Sequence, residues 1–377
     1  MTRPDSIAVV ISAAVLLVGA TAATVLLWNR LHGARVLRVA QRVGLLLLCQ
    51  VLAVVTAAAM TNHVNQFFTS WTDLAGGLAP ADAADTAPLQ DPRHDPRQDP
   101  LPGHRASSKP GETPAHTEPG LPEGFVRSDG GFAKGHVTGT ASGVDGEVVV
   151  ALPPGWDPHR HERYRVILGL AGYPGNPIDA IIGLHLASEV ASRTEAGSLP
   201  PTIVVAATTN VGGKNWDCAD VAGGPQVATW LSRDVRELMV REFGADPTAR
   251  WTVVGLSSGG YCAARLLLTE PGRFGTAISM SGNNVPDAPA LSASAADRKA
   301  GDLRTLAAGG ATPPVNLLLT ATAQDGATVK DADALKAAAP AGVSVDIQVL
   351  PKGGHNWSVW GQMATPAFDW LVTHQPG

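Results

Sequence analysis

The 377-residue chain has little cysteine (three residues), few aromatic side chains (5%) and little charge (16%). Cys49, Cys218 and Cys262 form no C-x-x-C pair and have no histidine at zinc-ligand spacing, so a structural zinc module is excluded. A basic excess is also missing. The formal net charge is -5, and no basic stripe or interleaving of aromatic with basic residues occurs, so no nucleic-acid partner is expected. Low charge leaves room for apolar residues, which make up 45% of the chain. That is enough for a sizeable core and too much for a mainly disordered protein.

Part of this apolar content sits in two long runs. The first, Ile7 to Trp28, carries no charge and at ~1.5 Å per residue is long enough to cross a ~30 Å hydrocarbon core. A cleaved secretory signal is the rival reading, because Ala20, Ala22 and Ala23 imitate a cleavage site, but a second run from Val43 to Met60 follows almost at once. Two transmembrane helices, about 7–28 and 43–60, are therefore expected within a first unit, 1–62. A soluble hairpin would show polar residues at helical period, and neither run does. Arg30, Arg35, Arg38 and Arg42 lie between the runs with no acid among them, which sets that loop in the cytoplasm and the rest of the chain outside it. The expected location is the cell membrane, multi-pass, with the larger part of the chain extracytoplasmic.

Residues 63–123 include "QDPRHDPRQDPLPGHR". Prolines at this density remove backbone donors and fix extended geometry, so this stretch reads as a tether, and His94, His104 and His116 are assigned no metal. From 124 to 377 strand-like and helix-like runs alternate. "GEVVVALP", "YRVILGLAG", "PTIVVAATT", "RWTVVGL", "FGTAISMSG", "PVNLLLTATA" and "VSVDIQVLP" read as strands. "IDAIIGLHLASEVASR", "GPQVATWLSRDVRELMVREF" and "TPAFDWLVTH" read as helices. This alternation predicts an α/β domain, a mainly parallel sheet with helices on both faces.

Within it, "TVVGLSSGGYCAARLLL" carries Gly255-Leu256-Ser257-Ser258-Gly259, the G-x-S-x-G spacing of a strand that reverses sharply into a helix. An ordinary glycine turn offers the same pentapeptide, so the partners decide. A serine needs a histidine base, itself oriented by a carboxylate, in chain order Ser, acid, His. His355 lies in "KGGHNW", directly after the last predicted strand, and Asp325 in "AQDGAT", just past the penultimate one. Asp331 and Asp333 are nearby alternatives for the acid, since "QDGAT" also suits a turn or helix cap. The oxyanion of a tetrahedral intermediate needs donors. The backbone N–H of Ser258 is one candidate, and that of Tyr173, in the earlier loop "GLAGYPGNP", is the other.

The segment from about Gly146 to Trp370 resembles the esterase branch of the α/β-hydrolases that includes esterase D-like enzymes and the mycobacterial antigen-85 mycolyltransferases. The resemblance rests on "YRVILGLAGYPG", "TWLSRDVREL", "VVGLSSGGYCAARLLLTEPGRFGTAISMSG" and "GGHNWSVWG", the last matching mycolyltransferases at His355, Trp357, Trp360 and Gly361. It implies Ser257 as nucleophile, His355 as base and the amides of Tyr173 and Ser258 as oxyanion donors, with no organic cofactor and no metal. Two departures stand out. Ala171 precedes the oxyanion-loop glycine where many relatives have His or Asp, and the acid is Asp325 where mycolyltransferases use Glu. In that fold the loop of Cys218 lies beside the helix of Cys262, and an oxidising compartment would let them pair. The alternative is that Cys262 is a small buried apolar residue. The function expected is a membrane-anchored serine esterase forming an acyl-enzyme on an ester substrate. Acyl transfer to an envelope glycan or lipid is the close alternative, and a noncatalytic surface-binding module is the distant one.

Overall fold

The computed structural model describes residues 3–71, 74–75, 120–128, 130–325 and 328–376. Most of the stretch 63–123, expected to be a tether, lies outside these residues. Two long apolar helices come first, α1 (Ile7–Leu27) and α2 (Arg35–Asn65), each with a window of mean hydropathy 2.4. They lie against each other. Thr24 Oγ1 is 3.4 Å from Cys49 Sγ, and the Arg42 guanidinium donates to the Trp28 carbonyl at 3.0 Å while stacking over its ring. None of the α2 window is buried, so its apolar side chains face outward. α2 extends past both ends of the apolar run predicted for it, since a helix continues until its backbone is capped. Here Gln66, in the left-handed region at φ 53°, donates its N–H to the Asn62 carbonyl.

The rest is a nine-stranded sheet in the order β1-β2-β3-β5-β4-β6-β7-β8-β9. The strands are β1 (Phe125–Arg127), β2 (Ala133–Thr138), β3 (Asp145–Ala151), β4 (Arg165–Leu170), β5 (Thr202–Ala207), β6 (Trp251–Leu256), β7 (Phe274–Met280), β8 (Val315–Thr322) and β9 (Val343–Leu350). Pairings from β5 through β9 are parallel, and β1, β2 and β3 add antiparallel pairings at one side. The seven strands read from apolar runs are all present. β1 and β2 escaped that reading because their inward positions include only Phe125, Ala133 and the small Gly135.

The helices are α3 (Pro177–Gly183), α4 (Leu186–Glu195), α5 (Val235–Glu242), α6 (Ser258–Thr269), α7 (Leu303–Ala307), α8 (Thr328–Ala338) and α9 (Trp357–Thr373), with two further short turns of helix between Pro289 and Gly301. Alternate side chains of each central strand feed opposite cores. Val148, Leu168, Val205 and Val253 pack under α5, α6, α7 and α8, while Val149, Ile167, Val204 and Val254 pack under α3, α4 and α9. Each such side chain, fully buried, contributes about 1.5–3 kcal/mol of transfer free energy.

Two predicted helices differ in detail. The run from Ile178 to Arg193 is broken at Leu184–His185, where His185 takes a left-handed φ of 52°. The break falls just after Gly183, which lies so close under the Trp357 ring that a Cβ there would collide with it. The helix ahead of β6 begins at Val227 and passes through a π turn, Trp230–Asp234, before α5. There Trp230 Nε1 donates to the Thr208 carbonyl and Asp234 accepts from the amides of Ala141 and Ser142.

Candidate active site

The strand order reverses at β4. The chain leaves β4 for β5 on one side and later returns to place β6 on the other, which makes the carboxyl ends of β4 and β6 a switch point where open α/β sheets take ligands. The β4 loop Ala171–Tyr173 and Ser257, just after β6, flank this crevice.

Ser257 is the N-cap of α6, with φ 55° and ψ -125°, a conformation that L residues rarely hold. Its neighbours have to be small. A Cβ on Gly255 would strike the Gly259 carbonyl, and one on Gly259 would strike the Leu170 and Ala171 carbonyls. The turn is tied to the sheet by Ser257 N–H donating to the Met280 carbonyl at 2.8 Å.

Three residues distant in sequence meet here. His355 Nε2 is 2.8 Å from Ser257 Oγ, and His355 Nδ1 is 3.0 Å from Asp325 Oδ2. Asp325 is buried, so its carboxylate faces the imidazole and not bulk water. Of the alternative acids, Asp331 accepts from the Asn284 N–H at 3.0 Å, and Asp333 is exposed. Trp360 packs edge-on against the His355 ring with centroids 4.9 Å apart, and Trp357 packs edge-on against Trp360 in turn at 5.3 Å. This pair fixes the plane of the imidazole.

The two predicted oxyanion donors also come together. Ser258 opens α6, so its amide is among the helix's first four N–H groups, which have no intrahelical carbonyl. The Tyr173 amide is near it and donates to the Ser258 hydroxyl at 2.7 Å. The loop after β4 is held by Asn210 Nδ2 donating to the Gly175 carbonyl at 2.8 Å and by Asn176 N–H donating to Asp179 at 2.6 Å.

Cys218 and Cys262 form a disulfide, with Cα atoms 5.3 Å apart. It fastens the loop after β5 to the second turn of α6. Beside it Asp217 is buried, and burial raises its carboxyl above the ordinary range despite the hydrogen bond from Ala288 N–H at 2.6 Å.

A pocket of about 740 Å³ opens over Ser257 and His355. Its wall includes Phe67 and Phe68, from the turn directly after α2, and Ile182 and Trp357. Sequence reasoning passed over Phe67 and Phe68, whose one signal was an aromatic pair just beyond an apolar run. Among the described residues no group of three or more His, Cys, Asp or Glu is arranged to hold a metal ion.

Fold and site together define an α/β-hydrolase of the serine hydrolase class. Residues 140–371 match the family described as "Putative esterase", and the chain belongs to that family. Solved structures of the same fold include a ferulic acid esterase (15% identity, 64% of this chain and 98% of that one, TM-score 0.52). An S-formylglutathione hydrolase of Agrobacterium tumefaciens is similar at 17% identity, 65% of this chain, 96% of that one and TM-score 0.52. A fluorophosphonate-binding serine hydrolase of Staphylococcus aureus gives 15%, 64%, 98% and 0.52. At these identities the likeness is one of fold. An uncharacterised protein of Corynebacterium glutamicum is 31% identical over 152 residues, 39% of this chain, and the match spans 35% of that protein's length.

Proposed function

We propose that the chain is a membrane-anchored serine esterase with its catalytic domain outside the cytoplasm. The observation that carries this reading is the continuous hydrogen-bonded line from Asp325 through His355 to Ser257 at the floor of the pocket. In the reaction, Ser257 Oγ attacks the ester carbonyl and its proton passes to His355 Nε2. Asp325 holds the Nδ1 proton and stabilises the imidazolium. The amides of Ser258 and Tyr173 receive the oxyanion. As the tetrahedral intermediate collapses, His355 returns the proton to the leaving alcohol, and an acyl group remains on Ser257. Water then attacks this ester, with His355 again taking and returning a proton.

Acyl transfer is the second reading, in which an alcohol replaces water in the last step. It is favoured by the mycolyltransferase-like run His355, Trp357, Trp360 and Gly361 and by an envelope location. A binding module without catalysis is disfavoured because Ser, His and acid are all in place. The anchor reading rests on the lengths of α1 and α2 and on the four arginines between them.

A fluorophosphonate probe should label the wild-type chain and leave Ser257→Ala unlabelled, and equal labelling of both would end the assignment of Ser257 as nucleophile. For topology, protease added to intact cells should cut between residues 74 and 122. Complete protection, relieved by permeabilising the cells, would reverse the orientation.

A further inference from the structure

The turn Gln66–Thr69, which links the end of α2 to the tether, lies against the loop that carries His355. The Gln66 carbonyl accepts from His355 N–H at 3.0 Å, and the Phe67 carbonyl accepts from Asn356 Nδ2 at 2.6 Å. Gln324 Oε1, one residue before Asp325, accepts from both Thr69 Oγ1 at 3.0 Å and Gly353 N–H at 3.1 Å. Gly354 has to be glycine because of this contact, since a Cβ there would run into the Gln66 and Phe67 carbonyls. The turn is also built rigidly off the helix. Asn62 in α2 grips Phe68 from both sides, with Oδ1 accepting from the Phe68 N–H at 2.8 Å and Nδ2 donating to its carbonyl at 2.9 Å.

We propose that this turn belongs to the active site: its carbonyls position the His355 loop, and Phe67 and Phe68 form the wall that selects esters with long acyl chains. The inference rests on the esterase reading above. The pocket is far larger than an acetyl group requires, and its size suits an extended apolar group. Among the residues lining the pocket the one carboxylate is that of Asp179, which accepts from Asn176 N–H, and no Lys or Arg is among them, so the wall offers no cation to an acidic acyl group. The placement agrees. From Met60, where the apolar run ends, to Gln66 is about 9 Å of helix at ~1.5 Å per residue, which sets the pocket mouth at headgroup depth if α2 spans a bilayer. Phe67, Ile182 and Trp357, which line the pocket, are all exposed, and aromatic rings favour that depth.

The test uses the full-length chain in nanodiscs and p-nitrophenyl acetate, butyrate and octanoate. Each methylene buried against the wall should raise kcat/KM about fourfold. Wild type should therefore prefer octanoate, and the double variant Phe67→Ala/Phe68→Ala should lose roughly tenfold or more of the octanoate-to-acetate ratio of kcat/KM. Gly354→Ala, which pushes the turn away, should lower kcat on all three esters and shift the pH profile of kcat, with the melting temperature measured alongside. Unchanged chain-length preference in the double variant, with fluorophosphonate still labelling Ser257, overturns the chain-selecting wall. An unchanged kcat and pH profile in Gly354→Ala overturns the positioning role. Failure of wild type to label or to hydrolyse any of the esters would instead take down the esterase reading, and this inference with it.

Discussion

The amide of Tyr173 donates to the hydroxyl of Ser258, 85 residues further along the chain, at 2.7 Å. The amide proposed as an oxyanion donor is thus occupied by a neighbouring oxygen, which an intermediate would have to displace. Ser258→Ala keeps the Ser258 amide and removes the competitor. Its kcat/KM should stay within about threefold of wild type or rise. A fall of roughly 10²-fold or more, the usual loss for an oxyanion donor, would give the Ser258 hydroxyl itself that role and remove Tyr173 from it.

The two nearby acids should separate cleanly. His355→Ala and Asp325→Asn are expected to lose roughly 10³-fold or more in acylation rate, because triad members act as a unit. Asp331→Asn, whose carboxylate is turned to the Asn284 amide, should lose less than about tenfold. Stopped-flow acylation measures all three, and the reverse ranking of the aspartates would move the acid to Asp331.

The disulfide joins residues 44 apart in sequence and ties the loop after β5 to the helix that Ser257 caps. Replacing both cysteines by serine should lower stability by about 2–4 kcal/mol. Chemical denaturation with and without reductant checks this. No change in the midpoint would make the bond an incidental crosslink.

Asp217 gives the protein a definite pH signature. Burial raises its folded-state carboxyl above the ordinary 3.8. The folded state therefore holds this proton more tightly than the unfolded chain. The resulting stabilisation is full below pH 3.8 and is lost as pH rises through the raised folded value. Asp217→Asn removes the ionisation and keeps an acceptor for Ala288. Its melting temperature relative to wild type should rise as pH climbs above 3.8 and through the raised folded value. A difference that stays flat across that range would exclude Asp217 as the source.

The sequence made the parallel strands and the chemical groups legible for different reasons. Buried central strands are short, continuous apolar runs such as Ile203–Ala207, too brief to be mistaken for the membrane-length runs ahead of them. Ser257, His355 and Asp325 stood out because this fold sets such groups at strand ends in the chain order Ser, acid, His, and the structure brings the three together. β1 and β2 were hidden because their pattern is short and rests on small residues. The close fit of Gly183 under the Trp357 ring, beside the break at His185, was hidden because that ring comes from far along the chain. The docking of Gln66–Thr69 on the His355 loop was invisible for the same reason, since carbonyls carry no sequence signature.

The positive φ at Ser257 sets the interests of folding against those of reactivity. Holding a non-glycine residue in such a region costs about 1–3 kcal/mol. Glycine would relieve that cost and alanine would not, so Ser257→Gly should melt higher than Ser257→Ala. A population selected only for thermal endurance would drift toward glycine at this position, giving up the hydroxyl first among all the groups at the site.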